Sequence, residues 1–416
     1  FGNLFISTSP ADQLNCARMW MARHAPPQAP VWRGESYDHD RLRVAFVSGD
    51  FREHPVARLI LPLLQNLDPQ KFECLGISYG PDDNSDMRRR IIAGCEHFID
   101  VRGGSDGEIA ALLRRREIDI AIDLMGITWR CRPGIFVARC APLQVSYLGF
   151  PATTGAEFID YVIADRTVIP EGEQEFFVEK IAWLPRCYLP GGSGAESPAS
   201  SRKQAGLPEN SFVFCCFSAN YKILPEAFAS WMTILRAVKG SVLWLADTNA
   251  SAKANLWREV EICGISPDRL IFAPHVPSHA DHLARMGLAD LFLDTAPFNG
   301  HATAIDAISA GVPVLTLAGT SMSGRAGQSL LTSLELPELI AHSVEEYEQT
   351  AIRFAQHPGD LAAIREKIIC NRGALFDAKT FAREFEQVLL QMHDRHRSGL
   401  PPETFPNSCK QFAGPT

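Results

Sequence analysis

The stretch Asp294-Thr295-Ala296-Pro297-Phe298-Asn299-Gly300-His301-Ala302-Thr303-Ala304-Ile305-Asp306 gathers the densest set of side chains able to do chemistry. An apolar run ends at Asp294, and Gly300 and His301 open a helical pattern. Thr303 falls in its first turn, where a hydroxyl and unpaired backbone N–H groups can receive a phosphate. Asp306 lies about one turn further on and can take a sugar hydroxyl. Phe217-Ser218-Ala219-Asn220-Tyr221-Lys222 precedes a second helix that opens at Pro225. Lys222 there can neutralise a diphosphate, aided by the partial positive charge of the helix start. Ser48-Gly49-Asp50-Phe51-Arg52-Glu53-His54-Pro55 places a histidine just before a third helix. Near neutral pH His54 can serve as base, acid or phosphate contact.

Each stretch also has a plainer reading. His54 can cap its helix, Lys222 can be a solvated surface charge, and Asn299-Gly300 can be a turn. The same holds for Asp123, which either binds a ligand hydroxyl or orders its own turn. Leu148-Gly149-Phe150-Pro151-Ala152-Thr153-Thr154-Gly155 is a glycine-bounded loop whose hydroxyls suit carbohydrate or a substrate backbone. In Gly319–Gly327, Arg325 can support an anion. His275, His279 and His282 cluster, but no Cys partner and no HExxH spacing accompanies them, so no metal is expected. Neither GxGxxG nor GxxxxGK[ST] occurs, which argues against the usual nicotinamide and P-loop enzymes.

These stretches sit between elements of one kind. Strands of about six residues alternate with helices, as in Leu42–Val47, Phe72–Ser78, Ile118–Asp123, Leu143–Leu148 and Phe158–Ala164. The alternation resumes with Phe212–Phe217, Val242–Ala246, Leu270–Phe272, Leu291–Asp294 and Val312–Leu317. That grammar means βα units, mostly parallel sheets, and ligands met by the loops after the strands. The expected organisation is a helical segment and linker at 1–40, a first α/β domain at 41–189, and a Gly/Ser-rich connection at 190–205. A second α/β domain at 206–377, a C-terminal helix at 378–396 and a frayed tail at 397–416 complete it.

With 416 residues, 46% of them hydrophobic, the chain is long enough for two cores and is not disordered as a whole. Forty basic against forty-eight acidic residues leave a net charge of −8, so nucleic acid and anionic lipid find no global attraction. The eleven cysteines form no CxxC pair, which suits scattered thiols in a reducing compartment, and the expected location is cytoplasmic. No run is long enough to span a membrane.

Taken in order, Phe46-Val47-Ser48-Gly49-Asp50-Phe51 with His54-Pro55, Tyr147–Gly155, Cys216-Phe217 with Tyr221-Lys222, Leu288-Ala289-Asp290, Leu293-Asp294-Thr295 with Asn299-Gly300-His301, and Ala310-Gly311-Val312-Pro313-Val314 carry a family signature. From about Arg41 to about His393 the chain resembles the catalytic region of the O-linked N-acetylglucosamine transferases, a family that includes the SPINDLY-type proteins. The resemblance implies an α/β GT-B fold, two Rossmann-like domains facing each other across a cleft. It implies inverting, metal-independent transfer of N-acetylglucosamine from UDP-GlcNAc to Ser/Thr hydroxyls of proteins, with no cofactor besides that donor. Tetratricopeptide repeats would precede the segment and recruit protein acceptors.

Residue by residue, the resemblance implies catalytic support or acceptor positioning for His54 and stabilisation of departing UDP for Lys222. His282 and His301 become nucleotide-site histidines, Thr303 a phosphate contact and Asp306 the ribose holder. Arg325 joins them from the loop after the next strand. Asp123, Phe150, Pro151 and Thr153 are candidate acceptor or sugar contacts. The chain departs from the animal enzymes at Ala219, where they have Gln, and at Ala302, where they have a further Thr. Pro274–His282 is one residue longer, leaving His279 where a lysine would pack on uracil. Two alternatives therefore stay open: a GDP-fucose-dependent protein O-fucosyltransferase and a non-catalytic sugar-nucleotide-binding scaffold.

Overall fold

A computed structural model of the chain describes residues 1–191, 200–247 and 249–405. The chain divides into two compact units. The first contains Phe1, Ser9–Gly191 and Asp377–Thr416, and the second contains Gly2–Thr8 and Gly192–Phe376. Much of the expected connection, 192–199, and the end of the expected tail, 406–416, lie outside the described residues.

The first unit is built on seven strands: β1 (Leu42–Ser48), β2 (Phe72–Ser78), β3 (His97–Asp100), β4 (Ile120–Asp123), β5 (Leu143–Ser146), β6 (Tyr161–Asp165) and β7 (Lys180–Leu184). Their order is β3-β2-β1-β4-β5-β6-β7, and every pairing is parallel. Val44-Ala45-Phe46-Val47 and Ile120-Ala121-Ile122 are fully buried, as strands covered on both faces require. Around them run α1 (Pro10–His24), α2 (Pro55–Leu64), α3 (Asp86–Gly94), α4 (Asp106–Arg115) and the short α5 (Gly134–Val137). Pro55 occupies the first helical position of α2, where no N–H is needed.

The second unit repeats the plan with β8 (Val213–Cys216), β9 (Val242–Ala246), β10 (Leu270–Ala273), β11 (Leu291–Leu293), β12 (Val314–Leu317) and β13 (Ile340–Ala341). The order is β10-β9-β8-β11-β12-β13, again all parallel. Its helices are α6 (Pro225–Ala237), α7 (Ala250–Ile262), α8 (His279–Met286), α9 (Ala302–Ser309), α10 (Ala326–Ser333), α11 (Val344–Gln356) and α12 (Pro358–Leu375). Pro313 stands at the entry to β12, an inner strand, and not at a sheet edge.

Both sheets reverse their strand order once, between β1 and β4 and between β8 and β11. Open α/β sheets bind ligands at such switch points, beyond the strand C-termini. Ser48–His54 and Asp123 follow β1 and β4, and Phe217–Lys222 and Asp294–Thr303 follow β8 and β11. Topology therefore selects the same loops as residue chemistry.

Two parts of the chain fold away from their sequence neighbours. The C-terminal helix α13 (Ala378–Arg397) belongs to the first unit, where the Phe385 ring lies 4.9 Å from Tyr147 and Glu386 Oε1 accepts from Asp68 N at 2.7 Å. The beginning of the tail is docked, not frayed: Ile181 N donates to Thr404 Oγ1 at 3.1 Å, and Phe405 bridges to Ala182. Gly2–Thr8 packs with the second unit. The ten described cysteines are free thiols.

Candidate functional site

In the first unit the site grows from the β1–α2 loop. Ser48 Oγ accepts from Asp50 N at 2.9 Å and shapes the turn, and Gly49 lets the backbone pass Tyr79, whose ring an added Cβ would meet at 2.9 Å. Asp50 then reaches Arg52 at 3.1 Å and His54 Nδ1 at 3.4 Å. His54 is the N-cap of α2, its Nδ1 accepting from Val56 N at 3.3 Å. The two uses of Nδ1 exclude each other. As a cap it holds a lone pair, and Nε2 carries the proton; as a donor to Asp50 it carries the proton, and Nε2 becomes a base. Burial lowers the pKa of His54, against the upward pull of Asp50, so the ring is neutral near pH 7.

Asp123 sits at the same edge, since Val47 and Asp123 are register partners in β1 and β4. Its carboxylate orders its own turn, accepting from Met125 N at 2.9 Å and Gly126 N at 3.0 Å, and burial raises its pKa to about 6. Phe150 is buried against Gly126, where any Cβ would meet it at 2.4 Å, and Pro151 is buried as well. Thr153 points into the protein: its hydroxyl donates to the buried Glu179 at 2.6 Å, and Thr154 joins through its N–H at 2.7 Å. The loop expected to meet carbohydrate thus uses its first hydroxyl inside the unit. That hydroxyl is not available to a ligand.

In the second unit two loops converge. Lys222 closes a 3-10 turn at Asn220–Lys222 and donates from Nζ to the Asn299 carbonyl at 2.9 Å. Its ammonium lies 4.0 Å from the centre of the Phe298 ring. Burial pulls its pKa down to about 8, against Asp294 and Cys216, which raise it. The same Asn299 carbonyl receives His301 Nδ1 at 3.1 Å. A carbonyl only accepts, so the proton of His301 is on Nδ1. Burial, with Lys222 adding to it, pushes the His301 pKa down to about 3. Nε2 is left as an acceptor, shielded from solvent and without a partner among the described residues. A group meeting Nε2 must therefore bring its own hydrogen, as a hydroxyl or N–H does and a phosphate oxygen does not.

Asp294 holds this loop in place. Its carboxylate accepts from Thr295 N at 2.9 Å, Gly300 N at 2.6 Å and Thr316 Oγ1 at 2.9 Å. Gly300 is required by the close approach, because a Cβ there would meet Thr303 Oγ1 at 2.6 Å. Thr303 stands in the first turn of α9 with Oγ1 3.4 Å from Ser218 Oγ, so the two loops meet there. Asp306 is held by His279 Nε2 at 2.8 Å, with His282 Nε2 at 3.9 Å. Arg285 donates to His282 Nδ1 at 3.0 Å, which keeps the His282 proton on Nε2, facing Asp306. Arg325 spends its Nε on the Gly319 carbonyl at 3.1 Å and braces its own loop. Lys222, His301 and Thr303 are thus gathered around one loop, with His282 of α8 and Asp306 of α9 as a pair beside it. No His/Cys/Asp/Glu group among the described residues has a metal-binding arrangement.

Several participants were not identified as site residues in the sequence. Asp50 was signalled by its place four residues before His54, and Asp294 by its place at a strand end. Asn299 acts through its carbonyl, and Phe298 and Glu179 act through contacts that no local motif announces.

The sequence model described as glycosyl transferase family 41 matches residues 17–196 and 192–385. An Arabidopsis thaliana protein named "Probable UDP-N-acetylglucosamine--peptide N-acetylglucosaminyltransferase SEC" is 35% identical over 390 residues, 91% of this chain and 40% of its own. The tomato (Solanum lycopersicum) protein of the same name ending in SPINDLY is 28% identical over 90% of this chain and 41% of its own. This chain thus spans about two fifths of the length of these relatives. Among solved structures, a lysine-to-methionine mutant of Thermobaculum terrenum O-GlcNAc transferase is 31% identical with a TM-score of 0.84. The match covers 94% of this chain and 75% of that one.

Proposed function

This chain belongs to glycosyl transferase family 41 and has the GT-B fold, and we propose that it moves N-acetylglucosamine from UDP-GlcNAc to Ser/Thr hydroxyls of proteins, with inversion and without a metal. The observation that carries the reading is the shared Asn299 carbonyl. It holds a half-buried lysine and a neutral histidine together just before α9.

On this reading the acceptor oxygen attacks the anomeric carbon from one face while UDP leaves from the other. Negative charge grows on the leaving phosphate oxygen. Lys222 and the N–H groups of the first turn of α9 face that charge, and a positive group partly shielded from water stabilises it more in the transition state than in the bound donor. Such an arrangement does the work a divalent cation does elsewhere. His301 Nε2 accepts a hydroxyl or amide hydrogen of the donor. Asp306 exchanges His279 for the ribose hydroxyls. In the first unit, the Asp50-bound form of His54 presents Nε2 as the acceptor of the hydroxyl proton or of its hydrogen bond. Protein acceptors and upstream repeats that recruit them belong to this proposal, as does a cytoplasmic location. No helix of the described residues is long and apolar enough to cross a membrane.

Calorimetric titration of the protein with UDP, UDP-GlcNAc, UDP-glucose, GDP and GDP-fucose, repeated with Lys222→Met, tests the reading. Binding of UDP and UDP-GlcNAc in the micromolar range, weakened by the substitution, is the expected result. Preference for GDP-fucose moves the assignment to fucosyl transfer, and no binding by folded protein leaves a scaffold.

A further inference from the structure

Residues 2–8 precede the first sheet by more than thirty positions in sequence, yet they pack with the second unit. A 3-10 turn at Gly2–Phe5 buries Leu4, and Thr320 Oγ1 donates to the Thr8 carbonyl. Between these anchors the Phe5 ring meets two aromatic rings. It lies 4.7 Å from Tyr221, the residue before Lys222, and 4.9 Å from Phe298, the residue before Asn299. Phe298 in turn lies 4.0 Å under the Lys222 ammonium and 5.0 Å from the His301 ring. Phe5 therefore backs both chain segments that carry the lysine and its carbonyl anchor.

We propose that Phe5 is a positioning residue for Lys222: the Gly2–Thr8 segment completes the donor site of the second unit by clamping Tyr221 and Phe298 so that the ammonium stays on the Asn299 carbonyl. The proposal rests on the glycosyl-transfer reading for its kinetic consequence. Its geometric content is independent of that reading. An aromatic ring presents its negative face to a cation, so Phe298 stabilises the ammonium only while the ring stays under it. Without the Phe5 ring, Phe298 and the 3-10 turn gain freedom, more water reaches Nζ, and the lysine is both displaced and further hydrated.

The charged and titratable groups facing Lys222 are Asp294 after β11, Cys216 at the end of β8 and His301 at the start of α9. Burial sets Asp294 at about 6, Cys216 at about 12 and His301 at about 3. Between these values Lys222, at about 8, is the member of the group that titrates. Rehydration raises it toward the ordinary lysine range.

The test compares wild type with Phe5→Ala, Phe5→Leu and Phe5→Tyr in the full chain, each checked for folding by circular dichroism. Transfer kinetics and the pH-dependent acylation rate of Lys222, read by peptide mass spectrometry, are measured together. The expected result for Phe5→Ala is a kcat about tenfold lower or more, with donor KM changed much less. Its lysine titration is expected to move up by about one unit. Phe5→Tyr is expected to restore both, and Phe5→Leu, which keeps apolar bulk, to change both in the same direction by less. If Phe5→Ala does not fold, Phe5→Leu decides. Unchanged kcat and unchanged lysine titration in a folded variant overturn the proposal, even if wild type transfers sugar. A shifted titration in a protein that transfers no sugar supports the positioning and overturns the functional reading instead.

Discussion

The two sheet edges handle their polar groups in opposite ways. At the first, most polar side chains are satisfied by the protein itself. Asp123 binds two backbone N–H groups of its own turn, and Thr153 is tied to a buried Glu179. His54 and Asp50 form a small two-setting pair at the end of a helix. At the second edge, charge is held under tension. Lys222 and His301 donate to one carbonyl, the lysine is pulled down to about 8, the histidine to about 3, and His301 Nε2 has no partner among the described residues. The contrast teaches where the chemistry is concentrated. On the proposed function, the first edge supplies shape and one proton acceptor, while the second holds a partly shielded cation for the donor's phosphates.

The largest effect expected from breaking this contrast is at Lys222. Lys222→Met should lower kcat about a thousandfold, the scale of losing a transition-state donor. It should at the same time raise the thermal unfolding midpoint at neutral pH. The sign follows from the depressed pKa. Between about pH 8 and the ordinary lysine value, the unfolded chain holds a proton that the folded protein has released. Stability from this group therefore rises with pH across that window, and below it the full cost of burying the charge is present. Differential scanning calorimetry of both proteins at neutral and alkaline pH measures this.

Next in size is Asp294→Ala. It strands the N–H groups of Thr295 and Gly300 and the Thr316 hydroxyl, at a cost of roughly 3 kcal/mol in denaturant unfolding. Donor affinity should fall with it, because the Gly300 turn that leads into α9 loses its anchor. At the first edge, His54→Ala should lower kcat by about a hundredfold and Asp50→Asn by about tenfold, read in steady-state transfer. Equal losses from the two would show that Asp50 does more than set the ring. The smallest effect is Thr153→Val, about 1–2 kcal/mol in unfolding free energy from a poorly satisfied Glu179, with unchanged affinity for UDP. A clear loss of UDP affinity there would erase the distinction between the edges.

How much of this could be read from the sequence depended on distance along the chain. β1, β4, β8 and β11 announce themselves as short, largely apolar runs, so the loops after them, and the site residues in those loops, were legible. β3 was not, because His97–Asp100 is a half-exposed edge strand. α10 was hidden because the glycine-bounded stretch Gly319–Gly327, which takes in its first residues, reads as a loop. Gly327 is small because a Cβ would strike Thr316 Oγ1 at 2.4 Å. α12 buries Leu361, Ile364, Ile368 and Leu375 along one face, but Ala362, Ala363, Ile369 and Cys370, apolar and exposed, blur that stripe in the sequence. Partnerships across the chain had no local signal: Glu179 lies 26 positions from Thr153, Asp306 lies 27 from His279, and nothing near Phe5 points to Phe298. Chemistry carried by side-chain type and local spacing was visible, and chemistry carried by a backbone carbonyl or a distant ring was not.

The most direct test of the central claim is the pH dependence of sugar transfer from UDP-GlcNAc, followed from about pH 6 to about pH 10 in wild type and Lys222→Met. The expected wild-type kcat/KM falls on an alkaline limb near 8, where Lys222 loses its proton, and the mutant is slow and lacks that limb. A mutant with near wild-type transfer, or with the same alkaline limb, would contradict that claim.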